Sequence, residues 1–331
     1  MYLKRVAIIL SVLIFCSCKG IVNDSQDQLN NSEDQSDVDE LVNDITKDNY
    51  SGRVAGLGTI YMDRLQAVGL NSGSSEHILD RVFEVWPTAF KERKSEETER
   101  LRRELKKYRT EAAQMKAKGK STTALDVFMQ SEKADTVFSK TEKQFLKDAQ
   151  KVFEAGDKQG SYYRSKLENL KEEYLNSYDL TDKELATIAG ISESVGTFIE
   201  NLSKSKDQLV RLKKSTNVNQ ATVFKPAFLL QTEECGEAEA EDNYTAPDCS
   251  FTPNWEEVGG AATLGAAMGM LGTTSRLGYY AASGTVFGAG SAAAAAGDFA
   301  FSAVAGAGSG SVTRLLEQYN RHQEWIEEHT K

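Results

Sequence analysis

Between Glu257 and Arg314 the chain carries only two charged residues, Arg276 and Asp298. They divide this Gly- and Ala-rich tract into uncharged runs of 18, 21 and 15 residues. The first two runs approach the roughly 20 residues that a helix needs to cross a bilayer. The tract is therefore a helical hairpin that enters a membrane, a hairpin buried in a helical core, or a flexible low-complexity segment.

The spacing of small residues within the tract favours close contact between two helices. Gly265 and Gly269 are four residues apart, and so are Gly284 and Gly288. This spacing lets helix backbones approach each other in lipid, and it resembles the glycine-zipper segments of bacterial envelope and pore-related proteins. The resemblance implies self-association through the tract and favours membrane entry. The scarcity of Leu and Ile in the tract favours the alternative, a buried hairpin of a soluble core.

The N-terminus has the features of a secretion signal, which we assign to residues 1–17. Lys4 and Arg5 precede a largely apolar run, residues 6–15, that is too short to span a bilayer stably. The sequence LIFCSC at residues 13–18 then resembles the cleavage site of bacterial lipoproteins. That resemblance implies a lipid on Cys18. Because Lys19 rather than Asp follows, it also implies the outer membrane of the cell envelope.

Residues 18–50 are polar, acidic and poor in aromatic side chains. Such a segment cannot bury enough apolar surface to fold. We therefore expect a disordered tether that connects the lipid anchor to the folded part of the chain.

Two further cysteines, Cys235 and Cys249, lie in an irregular acidic segment at residues 216–256. In an oxidising compartment they are expected to form a disulfide. The closed loop has about fifteen residues, which corresponds to about 3 kcal/mol in the chain-entropy model.

Residues 51–215 show the spacing of amphipathic helices. One charged helix carries a narrow apolar stripe with intervals of 4, 3, 4 and 3 residues: Leu101, Leu105, Tyr108, Ala112 and Met115. Phe138, Phe145 and Val152 recur every seven residues, and with Leu125, Phe128, Ala149 and Phe153, which widen the stripe, they predict a second helix. A third helix follows, with Tyr163, Leu167, Leu170, Tyr174 and Tyr178 in its stripe. Thr181 and Glu184 have the spacing of a capping box that opens a fourth, whose stripe includes Ile188, Val195, Phe198 and Leu202.

These patterns predict an all-α fold, an elongated antiparallel helical bundle. Residues 257–331 would add a Gly/Ala-rich helical hairpin and a terminal amphipathic helix. Aromatic stripes at this spacing pack between helices far more often than they line a ligand cleft.

The composition also bears on function. The net charge is −10 and the basic residues are interleaved with acidic ones along the sequence, which argues against a nucleic-acid partner. No catalytic motif, cofactor motif or EF-hand is present, and His322 and His329 lack the HExxH spacing of a zinc site. We therefore expect no enzyme activity, no cofactor and no metal.

Two functions fit the sequence. The first is a non-enzymatic envelope lipoprotein that interacts with a membrane, in a pore-forming, exclusion or scaffolding role. The alternative is a surface-exposed lipoprotein that binds a protein partner through its helical bundle, with the Gly/Ala tract as core.

Overall fold

The computed structural model describes residue 41 and residues 45–68, 94–120, 122–156, 158–216, 251–276, 286–287 and 291–329. These segments contain nine helices and no strand, which confirms the predicted all-α class. The helices are α1 (Tyr50–Val68), α2 (Lys94–Ala117), α3 (Ala124–Met129), α4 (Glu132–Val137), α5 (Lys140–Phe153), α6 (Gly160–Ser177), α7 (Asp182–Thr216), α8 (Trp255–Arg276) and α9 (Ser291–His329).

The Gly/Ala tract lies in the centre of this fold. Residues 261–270 of α8 and 302–312 of α9 are buried at every position, and so are residues 186–199 of α7. The outer helices α1, α2, α5 and α6 pack their apolar sides against this group. A helix that is buried all round is either a core helix or a membrane span, and here α7, α8 and α9 are core helices.

The helix pairs run in both relative directions. In α8 and α9, Ala261 lies opposite Gly310 and Gly269 lies opposite Ser302, so this pair is antiparallel. In α1 and α7, Tyr50 lies beside Gly190, and the ring of Tyr61 lies 5.0 Å from that of Phe198, so this pair is parallel. The elongated antiparallel bundle that the sequence predicts is therefore not confirmed.

The stripe of α2 is confirmed, because its first four members are buried and Met115 is half-buried: Leu101, Leu105, Tyr108 and Ala112. The predicted capping box of α7 is confirmed as well. The Thr181 amide donates to Glu184 at 3.0 Å, and the Glu184 amide donates to the Thr181 hydroxyl at 3.3 Å.

The single helix predicted from Phe138, Phe145 and Val152 is wrong. This stretch forms the three helices α3, α4 and α5, because Thr123, Ser131 and Ser139 each cap a new helix N-terminus with a side-chain oxygen. Such caps satisfy amide groups that a continuous helix would bond to its own carbonyls. Phe138 sits at the break between α4 and α5 and is still buried.

The end of the chain also differs from the prediction. The hairpin's second helix and the terminal amphipathic helix are one continuous helix, α9, which has 39 residues. Its apolar positions Leu315, Leu316 and Tyr319 continue the buried side of the Gly/Ala segment. Gly306 and Gly310 pack against α8, and the helix continues through them into the terminal part.

Candidate functional site

The contact between α8 and α9 is made by backbone atoms. A β-carbon added to Gly265 would overlap the carbonyl oxygen of Gly306, and one added to Gly269 would overlap that of Ser302. The reverse also holds, since a β-carbon on Gly306 or Gly310 would overlap the carbonyls of Gly265 and Ala261. Only hydrogen fits at these positions, so this is the close approach that the small-residue spacing predicts.

Gly265 and Gly269, the first two residues that the sequence assigns to helix packing, thus lie in the predicted kind of contact. Gly284 and Gly288 lie outside the described residues. The partners Ser302, Gly306 and Gly310 were not predicted, although they repeat the same four-residue spacing further along the tract. Cys18, Cys235 and Cys249 lie outside the described residues, so the lipid anchor and the disulfide stay predictions.

A polar network closes one end of the α8–α9 contact. Arg314 binds Glu257 at 2.7 Å and Glu317 at 2.8 Å, and Arg109 of α2 binds Glu317 at 2.9 Å. The Gln318 amide group donates to the carbonyl of Asn254, which caps α8. The network therefore fixes the register of the two central helices at their charged ends.

The most site-like cluster of ionisable groups lies where α1, α6 and α7 meet. Lys171 donates to Glu168 and to Glu193, both at 2.7 Å, and its ammonium lies 3.5 Å from the hydroxyl of Ser51. The Lys171 side chain is 4% exposed. A buried lysine beside a serine hydroxyl is one arrangement by which a serine nucleophile can be activated.

The charges at this cluster argue against that chemistry. Burial alone would lower the pKa of Lys171, but the hydrogen bonds and charges of Glu168 and Glu193 outweigh it, and the pKa is raised. Lys171 is therefore protonated at neutral pH and has no free electron pair with which to accept a proton from Ser51. The cluster acts as an ion-pair contact that joins three helices.

The two carboxylates of the cluster differ in their pKa shifts. Burial raises the pKa of Glu193, and the contact with Lys171 offsets only part of that effect. Burial would also raise the pKa of Glu168, but its hydrogen bonds and the charge of Lys171 lower it. Folding thus disfavours the ionised form of Glu193 and favours that of Glu168.

We expect the substitutions Glu193→Gln and Glu168→Gln to have opposite effects at neutral pH. The raised pKa of Glu193 means that its charged form opposes folding above that pKa, so Glu193→Gln should increase the free energy of unfolding by up to about 1 kcal/mol. Glu168→Gln removes a favoured charge from a half-exposed position and should lower it by up to about 1 kcal/mol. Urea unfolding of both variants measures these changes.

The pH dependence provides the control for this pair. The advantage of Glu193→Gln should shrink as the pH falls below the raised folded-state pKa of Glu193 and should vanish below the ordinary pKa of an unfolded glutamate, because the wild-type carboxyl is then neutral in both states. The loss in Glu168→Gln should vanish as the pH falls through the lowered pKa of Glu168. If both substitutions changed the free energy of unfolding equally at neutral pH, the opposite pKa shifts of Glu193 and Glu168 would be contradicted.

Two kinds of function-related site are absent from the described part of the chain. No group of three or more His, Cys, Asp or Glu side chains there is arranged to hold a metal. His322, which the sequence analysis compared with the histidines of a zinc site, packs its ring between those of Phe251 and Trp325, with centroid distances of 5.6 and 6.3 Å. None of the described helices combines the length and apolar character needed to cross a bilayer.

Comparison with protein-family models, with curated proteins and with solved structures finds no match to this chain. Its class is accordingly given by what the chain itself contains, an all-α fold organised around a small-residue helix pair.

Proposed function

We propose that this protein is a non-enzymatic, lipid-anchored protein of the bacterial cell envelope whose helical domain is a binding or scaffolding module. The observation that supports this function is the α8–α9 contact. Gly265 and Gly269 of α8 face the small residues of α9 within one chain, so the surface that would associate in a membrane-inserted oligomer is already occupied. In this proposal the lipid on Cys18 holds the domain at the outer membrane, and the outer helices meet a protein partner.

A second candidate function is membrane entry by the Gly/Ala tract, in a pore-forming or exclusion role. Two observations favour it. Residues 261–270 of α8 have no polar face that would oppose contact with lipid. The core also buries four hydroxyl groups that have no hydrogen-bond partner among the described residues: those of Tyr50, Thr187, Thr197 and Thr274. Each such group costs about 1–3 kcal/mol, and opening of the core would relieve part of that cost.

Cutting the tether separates the two candidates. A protease site is placed within residues 25–40 of the full chain, and washed cell membranes that contain the protein are treated with the protease in high salt. In the first function the lipid on Cys18 is what holds the chain at the membrane. We therefore expect the helical domain to leave the membranes once the tether is cut. The measurement is the fraction of the domain in the supernatant after sedimentation.

Acyl labelling identifies the anchor in the same cells. Labelling should be lost in Cys18→Ser. It should be retained in Cys16→Ser, the matched control, because Cys16 is the other cysteine of the LIFCSC sequence. A domain that stays with the cell membranes after complete cleavage in high salt, and also with protein-free vesicles treated in the same way, would exclude the first function and support membrane entry by the tract. Labelling that survives Cys18→Ser would refute the anchor.

A further inference from the structure

The solvent-facing side of α2 and of the turn after it carries a cluster of basic residues. We call it the basic face, and its six exposed members are Arg103, Lys106, Lys107, Lys116, Lys118 and Lys120. The chain as a whole has a net charge of −10, but residues 94–120 carry ten Lys and Arg and only five Glu. This part of the domain therefore has a local excess of positive charge.

The local structure explains why these residues are exposed. The apolar stripe of α2 fixes which face of the helix turns toward α3 and α8, so the positions between its members face solvent. Gly119, with φ of +77°, ends the helix. The amide of Gly119 bonds to the carbonyl of Lys116, and that of Lys120 bonds to the carbonyl of Met115, which is a Schellman motif. The motif keeps Lys118 and Lys120 beside the last turn of α2.

Five of the six members of the basic face are not neutralised within the described part of the chain. Glu104 is bound to Lys133 of α4 at 2.5 Å, and Glu99 lies 3.9 Å from Arg103. The five lysines of the basic face form no ion pair with any residue that the structure describes. Although basic and acidic residues alternate along the sequence, the fold pairs Glu104 with Lys133 and leaves the five lysines in solvent.

We propose that the basic face docks on the anionic headgroup surface of the bilayer to which the chain is anchored. This inference rests on the proposed function, because it takes the membrane anchor as given. Anionic headgroups attract clustered Lys and Arg side chains, and such a cluster adds a second binding signal to a single lipid chain.

The tether permits this orientation. The predicted tether, residues 18–50, is wrong at its C-terminal end, because Ile45 and Tyr50 are buried in the core. The remaining residues 18–44 would have a root-mean-square span of about 30 Å as a flexible coil, and several times that when extended. The first described helix, α1, can therefore lie on any side of the domain relative to the bilayer. The anchor holds the domain close to the membrane, and the basic face selects the side that touches it.

The test uses the full chain with the protease site in its tether, reconstituted into vesicles of neutral phosphatidylcholine or of phosphatidylcholine with about 30% phosphatidylglycerol. After cleavage in low salt, the wild-type domain should stay on the anionic vesicles and leave the neutral ones. The variant Lys106→Gln/Lys107→Gln/Lys116→Gln should lower the bound-to-free ratio on anionic vesicles by about tenfold or more, since each lysine near an anionic surface contributes roughly a factor of five.

A matched variant with the same change in net charge is Lys140→Gln/Lys147→Gln/Lys158→Gln, whose three lysines are exposed outside the basic face. This matched variant should bind the anionic vesicles nearly as the wild type does. High salt should release both the wild-type domain and the matched variant. Equal losses in the two triple variants, or wild-type binding that does not depend on phosphatidylglycerol, would overturn the proposal. Retention on both vesicle types in high salt would instead indicate insertion of the tract, and would thus contradict the proposed function as well.

Discussion

The variant Gly265→Ala/Gly269→Ala is expected to lose roughly 2–6 kcal/mol of unfolding free energy, because overpacking of a tight core typically costs about 1–3 kcal/mol per site. Each added β-carbon would overlap a carbonyl oxygen of α9, at Gly306 and at Ser302. Backbone atoms cannot move aside as a flexible side chain can, so the two helices must separate. Urea unfolding followed by circular dichroism measures the loss.

Gly260→Ala is the matched control for this pair. Gly260 lies in the same helix, but a β-carbon there would meet no atom within 4 Å. Because Ala favours a helix interior over Gly by about 0.5–1 kcal/mol, Gly260→Ala should raise the unfolding free energy slightly. If Gly265→Ala/Gly269→Ala unfolded at the same urea concentration as Gly260→Ala, the close contact between α8 and α9 would be refuted.

The second large effect is expected at the buried ion pair between α5 and α7. The ammonium of Lys183 donates to the two carboxylate oxygens of Glu142 at 2.9 and 2.8 Å and to the carbonyl of Val137 at 2.7 Å. The Glu142 side chain is fully buried. Lys183→Met should therefore lower the unfolding free energy by roughly 3–5 kcal/mol, because it leaves a buried carboxylate without its countercharge.

A second substitution isolates the cause. In Lys183→Met/Glu142→Gln the buried charge is removed, while the side-chain oxygen can still accept the Ser139 amide hydrogen bond that caps α5. This double variant should recover more than half of the loss, and a double-mutant cycle gives the coupling energy.

Lys204→Met is the control that removes a lysine from an exposed ion pair instead of a buried one. Lys204 pairs with Glu200 at an exposed site, and such pairs contribute little. A loss below about 1 kcal/mol in Lys183→Met would contradict a buried, charged Glu142.

The sequence predicted the helices well where the pattern is local. The stripe of α2 and the capping box of α7 depend on residues three and four positions apart, and both are confirmed. The breaks between α3, α4 and α5 were missed, because the seven-residue recurrence of Phe138 and Phe145 hid the capping roles of Ser131 and Ser139. A helix cap and an apolar repeat can occur in the same stretch. The aromatic rings of the repeat are buried here although the caps interrupt the helix.

The sequence could not predict the surroundings of α7. Its polar residues Thr187, Ser192, Glu193 and Ser194 suggest a solvent-facing side, yet all four are buried. Glu193 tolerates this position because Lys171 of α6 reaches it, and Ser192 because its hydroxyl donates to the carbonyl of Leu167 at 3.0 Å. Both partners are more than twenty residues away along the chain, so no local pattern indicates them.

By itself, the sequence determined that the described part of this chain is helical, and the spacing of Gly265 and Gly269 favoured a close helix contact. Helix propensity, capping and small-residue spacing act over a few residues, and one chain carries that information. Only the tertiary structure decided what the Gly/Ala tract packs against. A small-residue face is equally suited to lipid, to a second copy or to its own chain, and here α9 occupies it because Ser302, Gly306 and Gly310 offer a matching face.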